Sequence, residues 1–351
     1  MGSCDLSNLP PELRLKILSF LSHHELKMVV RVNRRWREMG EDPLLWRRLR
    51  LVVLSRTQPV MEQVLRIRRL QRLRCVKFAS PVAAGQAQDM ICLIQGQENV
   101  KELDIASSKL IKVQPNTMGS LVKGLEVVVL TNCRLTVPQL KTIFTVISQN
   151  KACQLQELYV GTNDLHTLSP TLLANCVTKL STLHCDNTYL QDDQVDALFS
   201  AISLENSRLR ELNILSNDLS SVSSSLLASS LSTLVSVNLW GTMLTTDQVD
   251  EIFTSLTKNC KVTHLNLSNN NLSNIPPPIL SDCISRLTSA ELCHSNLIPM
   301  QVTMLLTNVA TRDCQLDKLD LSGNPTAMQQ LPQQLLVTAR ERLDSLELGY
   351  F

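Results

Sequence analysis

Aromatic residues make up only 3% of this chain, and its 351 residues include only 10 glycines and 14 prolines. The scarcity of glycine and proline argues against long disordered tracts. No window approaches the roughly 18 consecutive apolar residues of a membrane span, and residues 1–15 hold no apolar core of a secretory signal, so a soluble protein of the cytoplasm or nucleus, without membrane contact, is expected. Met1-Gly2-Ser3-Cys4-Asp5-Leu6 starts like an N-myristoylation signal but has Leu6 where Ser or Thr is wanted. The sequence also lacks a phosphate-binding GxxxxGK, a GxSxG elbow, HExxH and paired CxxC, and its histidines have no third orienting group. A binding protein without cofactor or metal is therefore expected, not an enzyme.

What the chain has is leucine, which dominates a hydrophobic content of 44%. A core made mostly of one medium-sized aliphatic residue suits stacked identical layers, and the length exceeds what one compact core holds. Aligning on LxxLxLxxNxL places starts at Val100, Leu125, Leu155, Leu180, Leu209, Leu234, Val262, Leu287, Leu316 and Leu343, with weaker copies at Leu73 and Trp46. The intervals alternate as 25, 30, 25, 29, 25, 28, 25, 29 and 27 residues. Two classes of repeat therefore alternate.

Their ninth positions differ: Asn163, Asn217, Asn270 and Asn324 in one class, Cys133, Thr188, Thr242 and Ser295 in the other. Each is expected at the corner after a strand, bonding the backbone of the next coil. Gln139, Gln194, Gln248 and Gln301 recur four residues past the last consensus leucine, where Thr136 and Thr245 offer capping boxes with Gln139 and Gln248. Val249, Ile252, Phe253 and Leu256 form the inward stripe of the helix that follows. A strand and a helix per unit, each too small to bury its own apolar face, imply an α/β stack with a parallel sheet inside and helices outside. The alternation resembles the ribonuclease-inhibitor class of leucine-rich repeats over residues 73–351, which implies a curved solenoid.

The formal charge of +2 hides a division: residues 1–77 carry 17 Lys and Arg against 7 Asp and Glu, and the remainder 17 against 25. Arg66, Arg68, Arg69, Arg72, Arg74 and Lys77 supply much of the excess. No aromatic residue interrupts that run, and its apolar spacing fits an amphipathic helix entering a strand better than a nucleic-acid patch. Most of the eleven cysteines follow the repeat register: Cys153, Cys260 and Cys314 sit two residues before a start, Cys176 and Cys283 four before. Buried thiols in a reducing compartment are expected. His184-Cys185 would point to opposite faces of a strand, which argues against zinc.

At the N-terminus Pro10 and Pro11 open a helix whose apolar positions are Leu13, Ile17, Leu18 and Leu21. A second amphipathic stretch runs Glu25 to Val32, and Asn33-Arg34-Arg35-Trp36 opens a third helix. Leu9-Pro10-Pro11-Glu12-Leu13, Ile17-Leu18-Ser19-Phe20-Leu21, Val32-Asn33-Arg34-Arg35-Trp36 and Leu45-Trp46 together resemble an F-box. The division expected is an all-α F-box over 1–48, a basic helical connector with the first degenerate repeats over 49–99, and the solenoid over 100–351. The resemblance implies that Leu9, Pro10, Leu13, Ile17, Leu18 and Leu21 bind the Skp adaptor and, through it, a cullin-RING ligase. Trp36, Leu45 and Trp46 would pack on the array. A ligase-independent inhibitor or scaffold, with the F-box as a mere cap, is the alternative.

Side chains at the third, fifth, seventh and eighth repeat positions should line the inner sheet face. They include Tyr159, His184, Asp186, Leu215, Trp240 and His264, which are the candidate contacts to a target protein. Trp240 either anchors a partner or covers its neighbours' backbone. Tyr159, His184, Leu215, Trp240 and His264 are expected to sit one strand apart as a continuous patch, and Glu157, Asp186, Glu211 and Glu291 around them favour a basic or neutral target segment. Tyr350 and Phe351 are expected to fold over the open final strand.

Overall fold

A computed structural model describes residues 9–21, 23–32, 34–40, 45, 50–53, 74–78, 81–258, 261–311, 314–328 and 331–349. The expectations for the packing of Trp46, for the run from Arg66 to Arg72, for Cys260 and for Tyr350 and Phe351 lie outside these residues. The chain divides into two units, residues 1–155 and 156–351.

The first unit opens with three short helices, α1 (Pro11–Leu18), α2 (His23–Val32) and α3 (Arg34–Gly40), with α3 packed on both α1 and α2. Pro10 caps α1, and Pro11 holds its first position, where a missing N–H costs nothing. The 13–17–20 spacing puts Leu13, Ile17 and Phe20 on the outer side, while Leu18 falls with Arg14 on the inner one. Arg14 reaches the Met39 sulfur of α3 from that side.

After this module come parallel strands β1 (Arg50–Val53), β2 (Cys75–Phe78), β3 (Glu102–Asp104) and β4 (Val127–Val129), paired in that order. Helices α4 (Ala87–Gln95), α5 (Pro115–Gly124) and α6 (Val137–Gln149) link or follow them. From β2 onward each strand begins two residues after a counted repeat start. The weakest copy is the exception. Leu51 pairs with Val76, so that repeat starts at Arg48 and not at Trp46.

The second unit holds eight parallel strands, β5 (Glu157–Tyr159), β6 (Thr182–His184), β7 (Glu211–Asn213), β8 (Ser236–Asn238), β9 (His264–Asn266), β10 (Ser289–Glu291), β11 (Lys318–Asp320) and β12 (Ser345–Glu347), each paired with the next. Between them run α7 (Pro170–Cys176), α8 (Asp192–Ile202), α9 (Ser224–Leu231), α10 (Thr246–Thr257), α11 (Pro277–Ile284), α12 (Pro299–Thr311), α13 (Pro325–Met328) and α14 (Gln333–Arg342). Fourth- and sixth-position side chains such as Leu183 and Cys185, or Leu265 and Leu267, are buried between sheet and helices. Each such side chain contributes roughly 1.5–3 kcal/mol. The expected α10 stripe of Val249, Ile252, Phe253 and Leu256 is buried, and Phe199 fills the place of Phe253 two repeats earlier.

Two polar ladders join the coils. Asn217, Asn270 and Asn324 donate to the carbonyls of Cys185, Leu239 and Leu292 at 2.9, 2.8 and 2.8 Å. These acceptors belong to the preceding coil, not the next one. Gln194, Gln248 and Gln301 make the second ladder: each side-chain oxygen accepts a backbone N–H at the start of its own helix, from Gln191, Thr245 and Ile298. Each side-chain nitrogen donates to two carbonyls of the coil before, as from Gln248 to Leu219 and Val222, both at 2.7 Å. Gln139 does the same toward Leu110 and Val113 in the first unit. The nine described cysteines are thiols; Cys133, Cys176, Cys185 and Cys283 are buried, whereas Cys153 and Cys314, expected in buried slots, are half-exposed.

Candidate functional site

Two surfaces carry the sequence candidates, one on each unit. On the first, Pro10, Leu13 and Ile17 are exposed and Leu9 and Leu21 half-buried, so five of the six candidates reach solvent. Leu18 does not. It is 3% exposed, because one residue after Ile17 the helix has turned it toward α3. Phe20, unassigned from the sequence, is 80% exposed in the turn after α1, in line with Leu13 and Ile17. Met28 and Val32 add exposed apolar surface on α2.

On the second unit the strand register sorts the inner face into rows. The third-position row reads Glu157, Thr182, Glu211, Ser236, His264, Ser289, Lys318 and Ser345, and the fifth-position row Tyr159, His184, Asn213, Asn238, Asn266, Glu291, Asp320 and Glu347. Leu215 and Trp240 fall in the seventh-position row, after Asp186. The expected five-residue patch is therefore not one row. Trp240 lies two residues beyond the fifth position of its strand, and His264 two residues short of it.

Two smaller groups replace that patch. Tyr159 and His184 touch as adjacent rings, centroids 4.4 Å apart at 59°. The Tyr159 hydroxyl donates to Glu157 Oε2 at 3.0 Å, and His184 Nε2 meets Glu211 Oε1 at 2.8 Å. Burial, helped by the carboxylates of Glu157 and Glu211, pushes the Tyr159 phenol above its usual range. Asp186, Leu215 and Trp240 make the second group, each two residues past the end of successive strands; Leu215 is half-buried and Trp240 38% exposed. His264 stands apart, its Nδ1 2.8 Å from the Thr263 hydroxyl.

The concavity itself is a depression of about 220 Å³ between His184, Glu211, His264 and Glu291, floored by Asn213, Asn238 and Asn266. Trp240 is not part of its lining. The expected acidity is real: six carboxylates face one lysine, Lys318, across these three rows. Burial and the neighbouring Asp320 and Glu347 raise Glu291 above the ordinary carboxylate range, against a 2.6 Å hydrogen bond from Asn266 that lowers it. Cys293 is pushed up to about 12 by burial and by its hydrogen bond to Asp320. Among the described residues no group of three or more His, Cys, Asp and Glu side chains could hold a metal ion, and no helix is long and apolar enough to cross a membrane.

Comparison with known families matches residues 6–52 to the F-box-like family and residues 261–283 to the Leucine Rich Repeat family. Among solved structures, the leucine-rich repeat-containing protein LegL7 from Legionella pneumophila is similar at 15% identity, over 84% of this chain and 98% of that one, with a TM-score of 0.50. An internalin, InlF, from Listeria monocytogenes matches at 16% identity over 81% of this chain and 82% of its own, with a TM-score of 0.46. A chain of the yeast Rad7 and Elc1 complex matches at 17% identity over 80% of this chain and 63% of its own, also at 0.46. The LegL7 likeness is one of fold.

Proposed function

We propose that this chain, an F-box-like segment followed by leucine-rich repeats, is the substrate-recognition subunit of a Skp-cullin-F-box ubiquitin ligase, acting in the cytoplasm or nucleus. One observation carries the reading: Leu13, Ile17 and Phe20 present an apolar row to solvent on the F-box-like segment. A module of about 40 residues with its apolar side chains turned outward needs a protein partner to cover them. The Skp adaptor is that partner. The repeats hold a target on the inner sheet face of the second unit, where the Asp186, Leu215 and Trp240 group and the acidic depression offer contacts. Catalysis belongs to the associated enzymes, and the chain contributes proximity.

The test is affinity purification of the tagged full chain beside its Ile17→Asp variant, from cells with the proteasome blocked. The adaptor and a cullin should accompany the wild type alone, and target proteins should accompany both. Equal recovery of adaptor with the variant would refute the assignment.

A further inference from the structure

Between the buried ninth position and the buried leucine at the eleventh, each of the first six repeats of the second unit turns one side chain outward at its tenth. Along the edge where the strands end, these are Asp164, Tyr189, Asp218, Met243, Asn271 and Asn296. In alternate repeats the backbone there is left-handed, with φ of 57° at Tyr189, 57° at Met243 and 54° at Asn296. The fold imposes this conformation, and asparagine is the side chain that tolerates it best after glycine. Asn296 therefore needs no further explanation. Tyr189 and Met243 do, because they bear the backbone strain while 65% and 67% exposed, so no burial offsets it.

The residue between them, Asp218, and the one before Tyr189, Asp164, are acidic, whereas Asn271 follows Met243. Asp164 and Asp218 are exposed, and each accepts from a backbone N–H two residues on, that of His166 and of Ser220; the His166 ring also meets Asp164 Oδ1. Between Lys179 and Lys258 the only Lys or Arg are Arg208 and Arg210, at the opposite end of β7. The edge thus alternates acid, aromatic, acid, methionine.

We infer that this edge docks a helix of a partner protein that presents two apolar side chains seven residues apart with Lys or Arg between them. Tyr189 and Met243 are two strands apart, about 9.6 Å. A helix spaces positions i and i+7 by about 10.5 Å on one face, and i+3 or i+4 falls midway, opposite Asp218. An extended segment fits worse, since its same-face residues recur at about 6.8 and 13.5 Å. Charge complementarity selects a basic helix over an acidic or phosphorylated one. This docking is independent of the adaptor surface.

The test is selection of random twelve-residue peptides displayed on phage against the immobilised full chain, repeated on the Tyr189→Asn, Met243→Asn variant. Peptides with apolar residues seven apart around a basic one should be enriched by the wild type and bind the variant at least tenfold more weakly. The variant should melt at the same temperature as wild type or higher, since asparagine suits the left-handed backbone. A lower melting temperature would make the two side chains structural and overturn the inference. So would equal capture by the variant, enrichment of acidic peptides or of another spacing, no enrichment over a blank surface, or self-association of the chain that the substitutions abolish.

Discussion

The imidazole of His294 occupies the space that a side chain on Gly323 would need: a Cβ built on that glycine would fall among the ring atoms. Gly323 is also left-handed, at φ 69°. Gly323→Ala must displace the ring and strain its own backbone, at a cost of roughly 1–3 kcal/mol. Urea unfolding followed by circular dichroism should show the midpoint fall. An unchanged midpoint would mean that the ring swings away freely.

Gln248→Leu preserves volume but deprives the Leu219 and Val222 carbonyls and the Thr245 N–H of their partner. All three bonds lie in or at the edge of the core, and each unsatisfied buried group costs about 1–3 kcal/mol. A loss of at least about 2 kcal/mol is expected in the same urea titration. Gln248→Glu, which turns a buried carboxylate toward the same two carbonyls, should lose at least as much.

Ile17→Asp and Leu18→Asp differ by one position and should differ in kind. The first places a charge on an exposed site and removes adaptor capture with the far-ultraviolet spectrum unchanged. The second buries that charge beside α3, costs at least about 3 kcal/mol and unfolds the helical module. Protease sensitivity of residues 9–40 separates the outcomes.

Trp240→Ala should weaken target capture by about 2 kcal/mol or more and leave adaptor binding intact. Tyr159→Ala should do less to binding, because the ring and hydroxyl are already engaged by His184 and Glu157. Quantitative capture of a ubiquitinated target from proteasome-blocked cells checks the order, and a larger Tyr159 effect would reverse the assignment.

Glu291 gives a pH dependence whose sign is fixed. With its folded-state pKa raised above the ordinary value, the native chain binds its proton more tightly, so Glu291 stabilises at pH below the ordinary carboxylate range and loses that contribution as pH climbs through the raised value. Going from pH 7 to 5 should raise the urea midpoint more in wild type than in Glu291→Gln, which has no proton to bind. A larger rise in the variant would contradict a Glu291 carboxyl raised by burial and its acidic neighbours.

The repeat was legible because its signal is redundant: ten starts at alternating intervals located every strand from β3 to β12 to the residue. Where redundancy thins, at Trp46, the alignment slipped by two. The inner-face residue set was legible, but not its grouping, since Tyr159, Trp240 and His264 all face outward from the core yet sit in different rows, and only the register separates them. Leu18 was misplaced because a helix stripe drawn through the adjacent Ile17 and Leu18 has no way to say which one faces inward. Phe20 was missed because it stood inside a family pattern as an apolar residue of no stated direction. The second role of the glutamines needs knowledge of what lies one coil earlier, which local sequence does not hold. Tyr189 and Met243 could have been found: a bulky residue between two buried consensus positions has nowhere to go but out.

Both polar ladders point one way, each asparagine and glutamine donating to carbonyls that precede it in the chain. A polypeptide leaving the ribosome therefore meets, at every new coil, acceptors that have already been synthesised and laid down. The ladder asparagines and glutamines do not wait for a later coil to satisfy their side-chain donors. Growth stopped after a repeat leaves the ladder amides of the last layer engaged, while backbone N–H groups such as that of Val160, which donates to His184 of the next coil, lose their acceptor. A chain shorn of its leading coils would instead begin with ladder donors aimed at empty water, so truncation frees side-chain amides of the ladders at one end and backbone N–H groups at the other.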